Sequence, residues 1–132
     1  MNLKTVPNWY VELVNLMETI YAHPIEVYKG FSNNVTLKSP ELELYLRLMP
    51  NMWLTIATID VGLEKQRQGI GTSIFEWCRN YCINNGIPII KVESVMSDSM
   101  IAFCIKHGFQ LKYPEKSFCY DWIYTLEQRI DS

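Results

Sequence analysis

Hydrophobic and polar positions follow two different periods along this chain. From Pro7 to Tyr21 the apolar residues return every three or four positions, which predicts an amphipathic helix with the proline in its first turn. From Leu42 to Leu48 apolar and polar residues alternate strictly, which predicts a strand with one exposed face. The next apolar run, 53–61, predicts a second long strand, and Pro50-Asn51 supplies the turn between the two.

The remaining pattern supplies shorter strands and two more helices. Short strands at 25–28 and 35–37 flank a turn at 30–34. After residue 61 the pattern predicts a helix at 69–84, a strand at 88–94, a helix at 98–107 and strands at 109–113 and 117–124. The order is a helix, antiparallel strands and then β-α-β-α-β-β. The 132 residues contain no linker or repeat, so we expect a single domain, 1–132.

The segment between strand 53–61 and helix 69–84 carries the candidate chemistry. It reads Gln66-Arg67-Gln68-Gly69-Ile70-Gly71-Thr72. Glycine lets the backbone approach a ligand without a Cβ in the way, and the unpaired N–H groups of a first helical turn attract anions. Arg67 can add a cationic fork to a phosphate. The loop lacks the third glycine of the dinucleotide fingerprint and the lysine of the Walker loop, so we infer a different pyrophosphate ligand.

The spacing Gln66-x-x-Gly69-x-Gly71 matches the pattern Q/R-x-x-G-x-G/A. This pattern resembles the acetyl-CoA loop of the GNAT superfamily of N-acetyltransferases. The chain beyond the helix is similar to the family as well: Asn84-Asn85-Gly86 leads into the next strand, and Lys106-His107-Gly108-Phe109 resembles the family's K-x-G-F ending. The resemblance covers about residues 53 to 111, near half of the chain. From the residues alone, the alternative is a βαβ unit with an ordinary glycine at its helix start.

The resemblance implies a GNAT-like fold of the mixed α/β (α+β) class. In that fold a central, mostly antiparallel sheet has one splayed parallel pair at the CoA loop and is flanked by helices. The resemblance also implies that acetyl-CoA is the cosubstrate. The implied contacts are the strand backbone at Ile59 and Val61 and the loop residues Gln66, Arg67, Gln68, Gly69, Ile70, Gly71 and Thr72. Ser97 either contacts CoA, as an asparagine often does in the family, or caps the following helix.

Two side chains are candidates for acid–base chemistry. Acetyl transfer to an amine needs a base for the amine proton, and an acid can protonate the leaving thiolate. By resemblance, the position of the family's usual tyrosine holds Cys104, which is either a weak acid or a small apolar helix residue. The position of a glutamate found in some members holds Thr55, which cannot be a base.

The candidate base is instead Glu93, at the end of the strand that follows the loop helix. Its alternative role is that of a solvated strand end, and a base acting through a water chain is also open. Asp60 has the opposite parity to Thr55, so we expect its side chain on the other face of the sheet.

Composition excludes several classes of partner. The net charge is −2 and the lysines and arginines are scattered, so we expect no direct nucleic acid binding. No apolar stretch reaches membrane length, and the polar residues after Lys4 are unlike a signal peptide. Cys78 and Cys82 are four apart on one predicted helix, which indicates small side chains that are partly buried. The cysteines and histidines show no metal spacing, so we expect no metal, and reduced thiols are typical of a cytoplasmic protein.

The sequence therefore predicts an N-acetyltransferase that moves an acetyl group from acetyl-CoA directly to an amine. The acceptor is a small amine, or a lysine or N-terminus of one specific protein. The family usually has a first strand and two helices before its antiparallel strands, whereas one helix is convincing here, which favours an open acceptor cleft. The alternative is a GNAT-fold module that binds CoA or a protein without turnover, because the family's tyrosine and glutamate are missing. The oligomeric state is open between a monomer and a homodimer.

Overall fold

The structure, a computed structural model, describes residues 5–62, 68–114 and 120–126. Within these ranges there are three helices, α1 (Val11–Tyr21), α2 (Ile70–Asn85) and α3 (Asp98–Lys106). The strands are β1 (Glu26–Lys29), β2 (Asn34–Ser39), β3 (Leu42–Met49), β4 (Trp53–Asp60), β5 (Ile89–Val92), β6 (Gln110–Leu111) and β7 (Trp122–Thr125). Most of these elements begin and end within one or two residues of the positions that the sequence pattern predicts.

The strands of the described residues form one mixed sheet in the order β1-β2-β3-β4-β5-β7-β6. Neighbours from β1 to β4 are antiparallel, as are β5 with β7 and β7 with β6. β4 and β5 are parallel and are joined through α2, which packs against both strands. The predicted mixed sheet with one parallel pair beside the glycine loop is thus confirmed.

One face of the sheet is apolar and packs with the helices into a single core, and we call it the helical face. Strict alternation in β3 turns its leucines to this face, as the sequence pattern predicts. The fully buried members of the core include Leu44, Leu46, Leu54, Ile56 and Ile90 from the sheet and Leu13, Met17, Ile74 and Cys78 from the helices. Cys82 is buried on the same helix as Cys78, so both thiols are more completely buried than the sequence indicated.

The opposite face of the sheet is polar and partly exposed, and we call it the open face. The strand register defines it, because Arg47 lies opposite Thr55 and Thr55 lies opposite Lys91. Residues that lie opposite each other in register share a face. Tyr45 and Trp53 lie on this face by the same rule, and both are partly exposed. The open face is therefore lined by charged and aromatic side chains.

Strand β4 contains a bulge at Ala57. In the register with β3, Leu46 lies opposite Ile56 and Tyr45 lies opposite Thr58, so Ala57 is the extra residue. The extra residue reverses the parity of everything after it. Asp60 consequently shares the open face with Thr55, and the expectation that these two side chains lie on opposite faces is wrong.

Helix α1 begins at Val11 rather than at Pro7. Asn8 adopts a left-handed conformation with φ of 57°, and the N–H of Val11 closes the turn by donating to the Asn8 carbonyl at 3.2 Å. Trp9 is nevertheless buried, and its indole N–H donates to the Asn33 carbonyl at 3.0 Å. The turn before α1 is thus held against the connection between β1 and β2.

The last predicted strand, 117–124, falls partly on residues 115–119, which lie outside the described ranges, as does Cys119. β7 begins at Trp122 and pairs with β5 and β6. Among the described residues, no helix has both the length and the apolar composition needed to cross a membrane.

Candidate functional site

A cleft opens where β4 and β5 separate. At their ends, a backbone hydrogen bond runs from the N–H of Glu93 to the Ile56 carbonyl, at 3.1 Å. Beyond it the chain after β5 turns toward the β7 segment: the N–H of Val95 donates to the Tyr120 carbonyl at 2.9 Å. The space between the separated strands is a cleft of about 210 Å³, lined by Ile56, Ala57, Thr58, Ile59, Val92, Glu93, Ser94, Val95 and Met100.

The bulge at Ala57 determines which main-chain groups face this cleft. Ile56 directs its carbonyl toward β5, and neighbouring residues of a strand direct their main-chain groups to opposite sides. Because the bulge inserts one residue, Ile59 is the next residue with its N–H and C=O on the cleft side. Val61 lies beyond the cleft, and its carbonyl accepts a hydrogen bond from the Tyr21 hydroxyl at 3.0 Å. Burial, together with the nearby carboxylates of Glu41 and Asp60, raises the pKa of Tyr21 to about 12, so this hydroxyl remains a donor at neutral pH.

The N-terminus of α2 has no side-chain cap among the described residues. Gly69 is the N-cap residue, with φ of 76°. The helix's own hydrogen bonds begin with the N–H of Ser73, which donates to the Gly69 carbonyl at 3.1 Å. A Cβ at Gly69 would meet none of the described residues within 4 Å. Gln68, Ile70 and Thr72 lie in this turn as the sequence predicts, whereas Gln66 and Arg67 lie outside the described residues.

The first turn of α2 also contacts α3. A Cβ at Gly71 would lie 3.3 Å from Cε2 of Phe103, so packing also favours a glycine here. The hydroxyl of Thr72 lies 3.1 Å from Nε2 of His107. His107 stacks between aromatic rings, with its centroid 5.0 Å from that of Phe75 and 4.5 Å from that of Phe103. Burial, aided by the adjacent charge of Lys106, lowers the pKa of His107, which favours a neutral imidazole beside the loop.

Glu93 lines the cleft and belongs to a charged cluster on the open face. One carboxylate oxygen forms a close ion pair with Nη2 of Arg47, and the other lies 4.0 Å from Nζ of Lys91. Lys91 also lies over the ring of Trp53, with Nζ 4.8 Å from the centroid, and only 13% of its side chain is exposed. The structure therefore brings the candidate base to the cleft, already paired with cations.

Comparison with known proteins identifies the fold. No protein-family model matches the sequence, and no curated protein matches it. Solved structures do match. The ribosomal-protein-S18-alanine N-acetyltransferase from Escherichia coli has a TM-score of 0.56 at 17% identity, over 79% of this chain and 76% of that one. Ard1 from Thermoplasma volcanium has a TM-score of 0.54 at 15% identity, over 89% and 80%. A GNAT family acetyltransferase from Elizabethkingia anophelis, with acetyl-CoA bound, has a TM-score of 0.50 at 16% identity, over 97% and 94%.

This chain has the GNAT fold. The resemblance predicted from the loop and the helix ending is thereby confirmed at the level of the fold. The features of the described residues that bear on ligand binding are the cleft between the separated ends of β4 and β5 and the N-terminus of α2.

Three other positions that the resemblance pointed to, Cys104, Ser97 and Thr55, do not line the cleft. Cys104 is fully buried on α3, and burial raises the pKa of its thiol to about 11. Met100, one turn earlier on the same helix, is the α3 residue that lines the cleft. Ser97 caps α3, since its hydroxyl accepts a hydrogen bond from the N–H of Met100 at 3.2 Å. Thr55, at the position of the family's glutamate, is buried in the sheet.

Sequence reasoning assigned no role to Arg47, Lys91 or His107. Strict alternation in β3 could have placed Arg47 and Tyr45 on one face, but it could not show that this face meets Glu93. That contact depends on β4 lying between β3 and β5, which becomes visible when the whole sheet is assembled. His107 was part of the helix ending that carried the resemblance, and its contact with Thr72 across two helices has no signal in the local pattern.

Proposed function

We propose that this chain is an N-acetyltransferase that moves an acetyl group from acetyl-CoA directly to an amine. The proposal rests on the cleft between β4 and β5, which Glu93 lines. The chain also has the glycine loop at the start of α2. The similar structure from Elizabethkingia anophelis contains acetyl-CoA, which supports this choice of cosubstrate.

In this proposal the helix start and the cleft bind different parts of the cosubstrate. The pyrophosphate lies at the first turn of α2, where the N–H groups from Gln68 to Thr72 and the helix dipole favour negative charge. Gln66 and Arg67 are proposed to extend the same site. The thioester end enters the cleft, where the N–H of Ile59 can donate to the carbonyl oxygen as negative charge develops on it.

Glu93 is the proposed general base. It lines the cleft and lies on the face from which an amine can approach, and general acid–base catalysis contributes about 10²- to 10⁴-fold in rate. The nitrogen attacks the thioester carbonyl, its proton passes to the Glu93 carboxylate, and the C–S bond breaks to release the CoA thiolate. Each Glu93 oxygen faces one cation and keeps a second lone pair, which can take the proton.

Cys104 remains the candidate acid of the sequence prediction, but its burial favours a packing role. A fully buried thiol whose pKa is raised to about 11 is a weak acid, and the cleft lining does not include it. We therefore propose that the CoA thiolate leaves without a proton from Cys104.

A second candidate function is a GNAT-fold module that binds CoA or a partner protein without turnover. Two observations favour it: Thr55 and Cys104 stand where the family often has its glutamate and tyrosine, and both are buried. The two candidates share the same cofactor site and differ in turnover.

Isotopically labelled acetyl-CoA separates them. The purified protein is incubated with the label and with cell lysates, free amines and peptides, and mass spectrometry follows the label while calorimetry follows acetyl-CoA binding. Label on an amine, absent with the Glu93→Gln variant, supports the enzyme. Binding without any labelled product supports the inactive module. No heat at millimolar acetyl-CoA overturns both.

A further inference from the structure

The open face holds two cations around one carboxylate next to the cleft. Arg47 and Lys91 both contact Glu93, so this cluster of three side chains carries one net positive charge. Other acids lie further along the face or near the cleft: Glu43 pairs with Lys38 at 3.8 Å, Asp60 accepts from the N–H of Gly62 at 3.1 Å, and Asp121 accepts from the N–H of Ser94 at 3.1 Å.

Of the two cations, Arg47 is the one that a ligand can reach. Lys91 is held between the Trp53 ring and Glu93 with 13% of its side chain exposed, whereas 38% of the Arg47 side chain is exposed. Arg47 uses Nη2 for Glu93, and its Nε is buried without a hydrogen-bond partner among the described residues. A guanidinium has five N–H groups arranged as a fork that fits a carboxylate. Arg47 therefore has more N–H groups than its contact with Glu93 uses, and its side chain is partly exposed beside that carboxylate.

Arg47 lies close to the place proposed for the acceptor amine, because it contacts Glu93. Arg47 lies opposite Thr55 on β4, and Glu93 reaches the same region from the other side of that strand. Thr55 is small and buried beneath them. The Arg47 and Glu93 side chains meet over Thr55, so a ligand lying there can place one group at Arg47 and another at Glu93 with about one residue of a polypeptide or less between them.

Resting on the proposed acetyltransferase function, we propose that Arg47 is a specificity residue that binds a carboxylate of the acceptor. The acceptor is a polypeptide with an acidic side chain within one or two residues of the reactive amine. When it binds, its ammonium group faces Glu93 and its carboxylate faces Arg47, so one internal ion pair is replaced by two. We infer a polypeptide rather than a small amine because the described residues leave this face open, whereas small ligands are usually enclosed by a pocket.

The alternative role of Arg47 is to neutralise Glu93, with no contact to the acceptor. The two roles predict different results with a panel of peptides. Each peptide carries one free amine, at its N-terminus or on a lysine. The peptides differ only in the residue next to that amine, which is Glu, Gln or Arg. Acetylation is measured as kcat/KM. The same peptides are titrated into the CoA-loaded protein, so that affinity reports the preference even where turnover is absent.

The parent protein should prefer the Glu peptides over the Gln peptides by about tenfold or more, the usual scale of a charge-assisted hydrogen bond. Arg47→Gln should bring that ratio close to one, and Arg47→Lys should restore part of it. Lys38→Gln is the matched control, because it removes the same charge from the same face and should leave the ratio unchanged.

Three results would overturn this inference. They are equal affinity and kcat/KM for Glu and Gln peptides, an Arg47→Gln variant that slows every peptide by the same factor, and acetylation of free glutamate in preference to the Glu peptides. Acetylation without acidic preference leaves the proposed function standing, whereas a protein that does not bind acetyl-CoA overturns the function itself. The failures of the two proposals are therefore distinguishable.

Discussion

Gly71 shows how one residue can be required for two physical reasons. It lies in the first turn of α2, where a side chain would approach an anion bound to the helix N-terminus. It also faces Phe103 of α3, because a Cβ at this position would lie 3.3 Å from the ring. The contact is with the end of a flexible side chain, so a larger residue can be accommodated by a small movement of Phe103. Gly71 can therefore be changed to test the anion site.

We expect Gly71→Glu to weaken acetyl-CoA binding by about 100-fold or more, because a carboxylate then lies close to the pyrophosphate charges. Gly71→Ala is the control, since it makes the Phe103 contact without adding a charge, and it should weaken binding much less. Calorimetry measures the affinities, and thermal unfolding checks that both variants fold. Equal affinity of the Glu variant and the parent would place the phosphate site elsewhere.

Cys104 matches a position of the family motif, but it does not line the cleft. The thiol is fully buried, and burial raises its pKa to about 11. An acid must be protonated to donate, so a rate that depended on this thiol would be flat up to about pH 9 and would fall as the pH rises through 11. The same burial explains the residue equally well as a small side chain packed in the core.

For Cys104→Ala we expect kcat to change by less than about threefold, whereas loss of a general acid costs about 10²-fold or more. The removed sulfur should lower stability by roughly 1 kcal/mol, as a small core truncation does. Cys78→Ala is the matched control, because Cys78 is equally buried on another helix. Rates from pH 6 to 9 and thermal unfolding of both variants are compared. A large fall in kcat in the Cys104 variant alone would make this thiol the acid.

At the scale of the elements, the bulge in β4 links the sheet to the site. An inserted residue bends and twists its strand, and the backbone bond from Glu93 to Ile56 is formed just before Ala57. The cleft lies beside the residues that follow. Removing Ala57 leaves the order Thr55-Ile56-Thr58-Ile59-Asp60, which alternates polar and apolar residues with the faces that the structure assigns them.

Deletion of Ala57 should therefore give a protein that folds but has lost its cleft. We expect its melting temperature to stay within a few degrees of the parent, since no core side chain changes face, while its affinity for acetyl-CoA falls by about tenfold or more. Deletion of Thr36 from the regular strand β2 is the contrast, because it turns Val35 or Leu37 out of the core and should destabilise the fold. Tight acetyl-CoA binding by the Ala57 deletion would show that the bulge does not create the site.

Strand β4 also shows what could not be predicted from the sequence. β3 and α2 were located within one or two residues because their apolar periods are strong and their ends carry turn residues. The bulge was missed because Ala57 has no property that distinguishes it from a regular strand residue, and this omission produced the wrong face for Asp60. The late start of α1 was missed because Pro7 fits a first helical turn, whereas Asn8 forms a left-handed turn instead.

At the scale of the whole molecule, the two faces of the sheet have separate roles. The helical face carries the core, and the open face leaves charged and aromatic side chains partly exposed beside the cleft. The sequence predicted an open acceptor side, and this stays a prediction. It could not predict the Arg47–Glu93 pair, because strands far apart in sequence become neighbours through the sheet order. The proposed acceptor recognition therefore depends on the assembled sheet, whereas the proposed phosphate loop depends on one local segment.

Acetyl-CoA should stabilise the whole fold, because the proposed ligand binds the folded protein alone and contacts the start of α2, the ends of β4 and β5, and Met100 of α3. If the dissociation constant is about 1 μM, 1 mM ligand adds about 4 kcal/mol to the free energy of unfolding. For a domain of this size that corresponds to a rise in melting temperature of roughly 10–20 °C.

Pantetheine, which enters the cleft but has no pyrophosphate, should give a much smaller rise, and the Gly71→Glu variant should lose most of the rise with acetyl-CoA. Scanning calorimetry at several ligand concentrations measures all three. Equal stabilisation by pantetheine and acetyl-CoA would show that the helix N-terminus contributes nothing to binding, and no stabilisation by either would remove the cosubstrate from the proposal.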